Sequence, residues 1–404
     1  MAKSYASRIL TINTGSSTLK AGVYSFGVVE ALELAARAER IGRSESRLQI
    51  TDAQGAPLLD QPTPLPDYDT ALQSLFAWFH SHGSGTAPNA VGHRVVHGGS
   101  HFTAPQRITD ELIATLQQLV PLDPDHLPQV LAAIQAARQA YPSIPQVACF
   151  DTAFHRQMPS VAQHYALPHE FWDLGVRRYG FHGLSYESIM EALQSADPAA
   201  VAGRVIIAHM GNGASMAAVQ RGVGVDTTMG LTPTGGLVMG TRSGDLDPGV
   251  LLYLLQAQGM SPAQINTLVN QRAGLLGLSG STADMRDLLN QEEGDPRAAA
   301  AIALFCYQAR KFLGALAAVL GGLDTLIFTG GIGEHAAPIR ARICAGMDFL
   351  GIQLDERRNA AHAPIISRDG STATVRVMPT DEDLMIARHT YRLLSQRGAD
   401  HVEV

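Results

Sequence analysis

The sequence predicts an α/β chain built from two related halves with a cleft between them, and three observations carry that expectation. Strand-like and helix-like patterns alternate twice along the 404 residues. The block Thr11–Lys20 is echoed at Ile207–Met216, and aligning Asn13 with His209 sets Gly15 on Gly211, an offset of 196 residues (209 − 13). Each block closes a β-branched apolar run and breaks into small residues, whose backbone N–H groups stand clear of side chains and suit a phosphate chain.

Arg8–Asn13, Ala21–Phe26 and Arg47–Thr51 read as the short strands that open the first half. Leu58–Asp69, with Pro62, Pro64 and Pro66, reads as a loop, Ala71–His80 as a helix and Ser81–Asn89 as a Gly/Ser/Pro linker. Val91–His97 has the apolar content of a buried strand. Leu127, Val130, Leu131, Ile134 and Ala137 recur at helical spacing, which predicts an amphipathic helix over Pro124–Tyr141, followed by a strand at Pro145–Phe150. The second half repeats the meander at Arg204–His209, Met216–Gln220 and Gly224–Asp226. Ile302, Phe305, Ala309, Phe312, Leu316 and Val319 form one face of a long helix. Thr325–Thr329 is a buried strand halted by Gly330 and Gly331, Thr374–Met378 alternates as a strand, and Asp383–Leu394 closes the chain as a helix.

Composition narrows the class. An apolar share of 46% and a charged share of 17% are those of an ordinary globular protein, and the length suggests two to three domains of ~150 residues. A net charge of −7 and a pI near 6.1 argue against nucleic acid or an anionic membrane as partner. Cys149, Cys306 and Cys344 are odd in number and far apart, which fits neither a disulfide framework nor a zinc site. With no leader-like start and no run of ~18 apolar residues, the expectation is a soluble, reduced, cytoplasmic protein.

Any anionic ligand must then be met by local charge. Lys20 lies seven residues after Asn13, within reach of whatever the first turn binds, although no phosphate-loop G-x-x-x-x-G-K-[ST] is present. On the same alignment Met216 takes the place of that lysine in the second block. Arg94 sits inside an apolar strand before Gly98-Gly99; it is either a structural ion pair or a fork for a carboxylate or phosphate. Asp151 follows a buried strand, at the end where α/β proteins place ligands, and a helix cap explains it equally well in isolation. Arg177–Gly183 packs two cations, two aromatics and glycine-flanked His182 into seven residues. Arg242 lies in the long loop Met229–Pro248, where a flexible backbone and small neighbours let it swing onto a transferring group or remain a solvated turn residue. Asp284 and Arg286 either address a base or ribose or cap the next helix, and Gly330–Glu334 lets another backbone approach closely. Thr380–Asp383 crowds carboxylates after a strand, which suits Mg²⁺ or a capped helix start.

Together these blocks resemble the acetate kinase family, within the superfamily of sugar kinases, actin and heat-shock chaperones. The resemblance runs from Arg8 to about Arg392 and rests on seven ordered motifs: Asn13–Lys20, Gly92–Gly99, Phe150–His155, Tyr179–Gly183, Gly211–Gly213, Met239–Pro248 and Gly330–Glu334. It implies two ribonuclease-H-like domains (duplicated βββαβαβα), 1–151 plus 384–404 and 152–383, with the active site in the cleft between them. It implies reversible phosphoryl exchange between ATP and acetate, with ATP/ADP as co-substrate, magnesium (or manganese) as cofactor, and a homodimer.

By the same resemblance Asp151, His182 and Arg242 are catalytic, and Arg94, Val96, Phe181 and Pro233 bind the acyl substrate. Lys20, His209, Met210, Gly211, Asn212, Gly213, Asp284, Met285, Arg286, Gly331, Ile332, Gly333, Glu334 and His335 contact ATP, while Asn13 and Glu382 attend the metal. A short carboxylate is already anionic at neutral pH, so the reaction asks for positioning and positive charge rather than a base. Asp151 therefore reads as an orienting group.

The sequence departs from the family pattern at Asp381, His335, Leu184 and Tyr186. Asp125 stands where relatives carry a leucine lining the acyl methyl pocket, so either it points away or the acyl group differs. Val96 favours acetate over propionate. The alternatives are a propionate or other short-chain acyl kinase and, from another class, a superfamily ATPase that moves a protein partner. The last leaves Arg94, His182 and Arg242 without a shared task.

Overall fold

The computed structural model describes residues 7–15, 17–82 and 88–399. Ser16 of the first turn, residues 83–87 of the expected linker and residues 400–404 lie outside the described residues. The chain divides into two compact units, Met1–Ala153 with Asp381–Val404, and Phe154–Thr380.

The first unit carries β1 (Ser7–Thr14), β2 (Thr18–Phe26), β3 (Glu30–Glu39), β4 (Arg47–Asp52), β5 (Pro57–Pro62), β6 (Ala90–Val95), β7 (Gln106–Arg107) and β8 (Gln146–Phe150). They form one sheet in the order β5-β4-β3-β2-β1-β6-β8-β7. Helices α1 (Tyr68–His82), α2 (Asp110–Leu119) and α3 (Leu127–Ala140) complete its N-terminal part. β1, β2 and β3 run antiparallel, and β1, β6 and β8 run parallel.

The second unit holds β9 (Arg204–Met210), β10 (Ala214–Gln220), β11 (Val223–Thr227), β12 (Thr325–Thr329) and β13 (Thr374–Val377), in the order β11-β10-β9-β12-β13. Its helices are α4 (Ser160–Gln163), α5 (His169–Asp173), α6 (Gly183–Ala196), α7 (Pro198–Val201), α8 (Pro248–Gln256), α9 (Pro262–Gln271), α10 (Gly274–Ser279), α11 (Met285–Gln291), α12 (Pro296–Leu320), α13 (Gly330–His335), α14 (Ala337–Cys344) and α15 (Glu356–Ala360). Helix α16 (Glu382–Ala399) belongs to the first unit and packs on β1, β6 and β8. Each sheet therefore contains the same plan: a three-strand antiparallel meander extended by two parallel strands.

The sequence explains the main elements. β12 buries all five residues, as a central strand must. Asp295 accepts a hydrogen bond from the Arg297 N–H ahead of Pro296, and Gly321 closes α12 at φ 70°, so the longest helix is bounded by ordinary start and stop signals. α12 is long and apolar enough to cross a membrane, yet Ala298, Ile302, Phe305, Ala309, Leu313, Leu316 and Leu320 bury one face of it at helical spacing.

Several expectations need correction. β3 was not foreseen, because Ala, Leu, Glu and Arg favour helix; pairing on both sides, to β2 and β4, overrides that preference. α2 was also missed, although Thr109 caps it through the Leu112 N–H. The expected loop at Leu58–Asp69 contains the edge strand β5, whose prolines stand at its two ends, where no interior ladder N–H is lost. The helix expected from Pro124 starts at Leu127, and the Gly330-Gly331 pair that ends β12 opens the short helix α13.

Strand register also revises the comparison of the two repeated turns. Asn13 faces Lys20 across β1–β2, seven positions away, whereas His209 faces Ser215 across β9–β10, six away. The second turn is one residue shorter. Ser215, not Met216, stands in the place of Lys20.

Candidate active site

In the first unit, adjacent parallel strands β6 and β8 carry Arg94 and, one residue past the strand end, Asp151. Arg94 donates from Nε (3.0 Å) and Nη2 (2.6 Å) to Asp151 Oδ2, and from Nη1 to Asn13 Oδ1 at 3.2 Å. The Asp151 side chain is 1% exposed, and its Oδ1 is buried without a hydrogen-bond partner. Burial pushes the Asp151 carboxyl up, against the pull of Arg94. Burial also works against the Arg94 charge, but Asp151, Glu382 and Asp383 outweigh it and hold the guanidinium above its ordinary value. Arg94 is thus both alternatives at once: a buried ion pair and a fork with spare donors.

Asn13 links this pair to the start of α16. Its amide nitrogen donates to Asp383 Oδ1 at 3.0 Å and to Glu382 Oε2 at 3.3 Å. Burial pushes the Asp383 carboxyl up, with Lys20 and Asn13 opposing. Among the described residues no group of three or more His, Cys, Asp or Glu side chains is placed to hold a metal alone. Two carboxylates and the unpartnered Asp151 Oδ1 are the kind of hard oxygen set that fits Mg²⁺, which completes its shell with water and phosphate oxygens. Asp381 caps α16, accepting from the Leu384 N–H at 2.8 Å.

In the second unit, His182 adopts the left-handed conformation (φ 58°) immediately before α6. Its Nδ1 lies 2.8 Å from Ser215 Oγ, which also bonds Tyr186 Oη. The ring stacks on His209 at 4.2 Å, and His209 Nδ1 lies 2.8 Å from Ser185 Oγ. A Cβ at Gly213 would stand 3.2 Å from His182 Nε2 and 3.7 Å from Arg242 Nη1, so glycine there leaves the space these two cation-capable groups converge on. Arg242 Nη1 donates to the Pro233 carbonyl at 3.1 Å. Its loop is fixed by Gly240 N–H to the Asn212 carbonyl at 2.9 Å.

Beside this cluster, the same unit contains a cleft of about 650 Å³ lined by Gly211, Asn212, Ala283, Asp284, Met285, Arg286, Leu289, Gly331, Ile332, His335, Ala336 and Pro338. That volume suits a nucleoside-sized ligand. Asp284 caps α11, one of the two readings the sequence allowed, and also pairs with Arg286. The Arg286 pair keeps the Asp284 carboxyl below its usual range. Gly330 meets the Met210 backbone so closely that a Cβ would stand 2.8 Å from its carbonyl.

The structure gathers Asn13, Arg94, Asp151 and Glu382 in one unit, and His182, His209, Gly213, Pro233 and Arg242 in the other. Gly211, Asn212, Asp284, Met285, Arg286, Gly331, Ile332 and His335 line the cleft, whereas Met210, Gly333 and Glu334 support it. Met210 is buried in β9, Gly333 packs on β12, and Glu334 accepts from the Gly330 N–H at 2.9 Å. Lys20 is exposed on β2, its charge felt at Asp383. Val96 and Phe181 are buried, and Asp125 is part-exposed in the turn before α3. Sequence reasoning missed Ser185 and Ser215; Asp383 it placed only within the Thr380–Asp383 carboxylate cluster. The two cations before His182 are structural: Arg178 donates to the carbonyls of Thr227, Thr228 and Met229, and Arg177 stacks on Trp172 at 3.7 Å.

Residues 8–388 match the Acetokinase family. The chain is 46% identical to the acetate kinase of Methylocella silvestris over 97% of this chain and 99% of that one. Among solved structures it resembles the acetate kinase of Porphyromonas gingivalis (38% identity, TM-score 0.85, 96% of this chain and 100% of that one). It resembles equally the propionate kinase of Francisella tularensis (34% identity, TM-score 0.88, 96% and 99%). With motifs, fold and near-complete coverage in agreement, the chain belongs to the acetokinase family.

Proposed function

We propose that this chain catalyses reversible, Mg²⁺-dependent transfer of a phosphoryl group between ATP and acetate, giving acetyl phosphate and ADP by direct in-line transfer. The observation that carries this reading is the anchoring of Arg94. Three of its five N–H groups are committed to Asp151 and Asn13, which leaves two for an anionic guest at a fixed orientation.

The acceptor needs no base, because a carboxylic acid near pKa ~4 is ionised at neutral pH. What it needs is to approach another anion. Arg94 offsets the acceptor charge, and Arg242 and His182 supply donors for the equatorial oxygens of the transferring group. Asp151 takes two guanidinium hydrogen bonds on one oxygen and so orients Arg94 rather than accepting a proton. Ser215, held by Tyr186, sets the rotation of the His182 ring. Asn13, Glu382 and Asp383 would hold Mg²⁺, which when bound neutralises charge on the phosphate oxygens. The cleft between Arg286 and Ile332 takes the adenosine end.

A cytoplasmic homodimer completes the reading, supported by the exposed, apolar α8. Propionate is a second acceptor, favoured by the likeness to the Francisella propionate kinase; one methylene changes discrimination by only ~1–3 kcal/mol. Trapping the acyl phosphate with hydroxylamine across acetate, propionate and butyrate tests both. Product from acetate above the others is the expected result. No product from any of them sinks the assignment.

A further inference from the structure

Of the 30 lysine and arginine residues in the chain only three are lysines: Lys3, Lys20 and Lys311. That scarcity has a chemical meaning beside an acyl phosphate, which is a mixed anhydride whose carbonyl carbon is open to amines. Arginine stays protonated and offers no nucleophilic nitrogen, whereas lysine reacts through its unprotonated amine. The three cysteine thiols are all buried. The side-chain amines that such an anhydride can reach are therefore few, and one of them stands at the candidate site.

Lys20 is exposed on β2 and pairs directly with Asn13 on β1. Side chains opposite each other across an antiparallel ladder share a face, with their Cβ atoms about 5 Å apart. Asn13 in turn accepts from Arg94 Nη1 at 3.2 Å. The Lys20 amine is thus mounted, on a flexible four-carbon stem, beside the residue that braces the guanidinium facing the acyl carboxylate. Its charge also acts on buried Asp383, which accepts from the Asn13 amide at 3.0 Å. Turning the ammonium into an amide removes a cation from this array. Lys311 is equally exposed, but it lies on α12, which contributes no residue to the candidate site. Lys3 lies outside the described residues.

We propose that Lys20 is a modification site: acyl phosphate held at the candidate site acylates its amine, and the lost charge slows the enzyme that makes the reagent. The inference rests on the phosphotransferase reading, which supplies the acyl phosphate. The Nζ lone pair attacks the carbonyl carbon and an amide N–C bond forms. The bond from that carbon to the bridging oxygen breaks. Orthophosphate leaves with the electron pair and takes up the proton released by the amine, so no further reactant is needed.

The test incubates the full chain with acetyl phosphate and Mg²⁺, without ADP, at mildly alkaline pH, and maps acetylated peptides by mass spectrometry. Acetylation should appear at Lys20 at least about tenfold faster than at Lys311, because the site holds the reagent beside the amine. An unreactive imido analogue of ATP, which fills the phosphate positions, should slow Lys20 to the rate of Lys311 and leave Lys311 unchanged. With the reagent removed, ATP formation from fresh acetyl phosphate and ADP should fall in proportion to acetylated Lys20. Lys20→Arg keeps a cation but offers no amine, and should hold its own starting activity through the same incubation. Lys20 acetylated no faster than Lys311, or unprotected by the analogue, overturns the site. Complete acetylation of Lys20 with unchanged activity, or a Lys20→Arg that loses activity in step with wild type, overturns the regulation. An untreated chain that makes no ATP from acetyl phosphate and ADP defeats the phosphotransferase reading, while the ratio of Lys20 to Lys311 still decides the site.

Discussion

The β1–β2 hairpin of the first unit and the β9–β10 hairpin of the second share a topology but differ in what surrounds their turns. Around the first, Asn13 bonds Arg94, Glu382 and Asp383, and Arg94 is ion-paired with buried Asp151. Around the second, His209 and His182 stack and are held by the hydroxyls of Ser185 and Ser215, with glycine keeping the space before them open. One turn sits in an array of charged groups; the other sits beside a pair of stacked, hydroxyl-anchored imidazoles. The single residue by which the turns differ in length exchanges Lys20 for Ser215 and so separates the two roles.

The largest test of that division is Arg242→Gln in the second unit. Acyl phosphate formation should fall ~10³-fold or more in kcat, while ADP affinity, measured by fluorescence, stays put because Arg242 does not line the cleft. Asp151→Asn tests the first unit: at saturating Mg²⁺, kcat should fall ~10²-fold as the Arg94 fork loses its anchor. Activity near wild type would show that Asp151 is dispensable and that charge pairing is not what this unit contributes.

Acid should weaken both units alike. Burial lowers His93 in the first and His155 in the second to a pKa of about 4, below the ordinary 6.5. The unfolded chain therefore binds more protons than the folded one between those values. The stability contribution is whole above pH 6.5 and is lost as pH falls toward 4, about 2 kcal/mol per histidine at pH 5. Urea unfolding of wild type, His93→Gln and His155→Gln at pH 7 and 5 measures it; a pH response unchanged in either variant excludes that histidine as its source. The smallest expected effect is Ser215→Ala, which takes one hydrogen bond from His182. It should reduce kcat about tenfold, in line with ~1–1.5 kcal/mol for such a bond, and leave KM for the carboxylate unchanged.

Much of this comparison is legible in the sequence. The buried strands at Val91, Pro145, Arg204 and Thr325 show themselves as apolar runs, and Arg94 and Asp151 stand out as charges set against them. β3 was hidden because its Ala, Glu and Arg content follows helix propensity, while its actual state is decided by neighbours on both sides. Ser215 and Ser185 were hidden for a different reason: a hydroxyl carries no periodicity, and its importance lies in facing a histidine from another element. The one-residue register difference could not be read either, since equal spacing in sequence does not guarantee equal pairing across a turn.

The return of α16 to the first unit has a consequence for how the chain is made. Gly92 leaves so little room that a Cβ would stand 2.3 Å from Thr390 Oγ1 and 2.7 Å from Ile386 Cγ2, so the last helix covers the first sheet intimately. The 227 residues from Phe154 to Thr380 are synthesised between these two pieces. At about 5–20 residues per second, β1, β6 and β8 wait roughly 10–45 seconds on the ribosome with their α16-facing side uncovered. The second unit is continuous and can complete itself first. Asn13, Arg94 and Asp151 are translated before the second unit, whereas Glu382 and Asp383, the carboxylates facing Asn13, follow it.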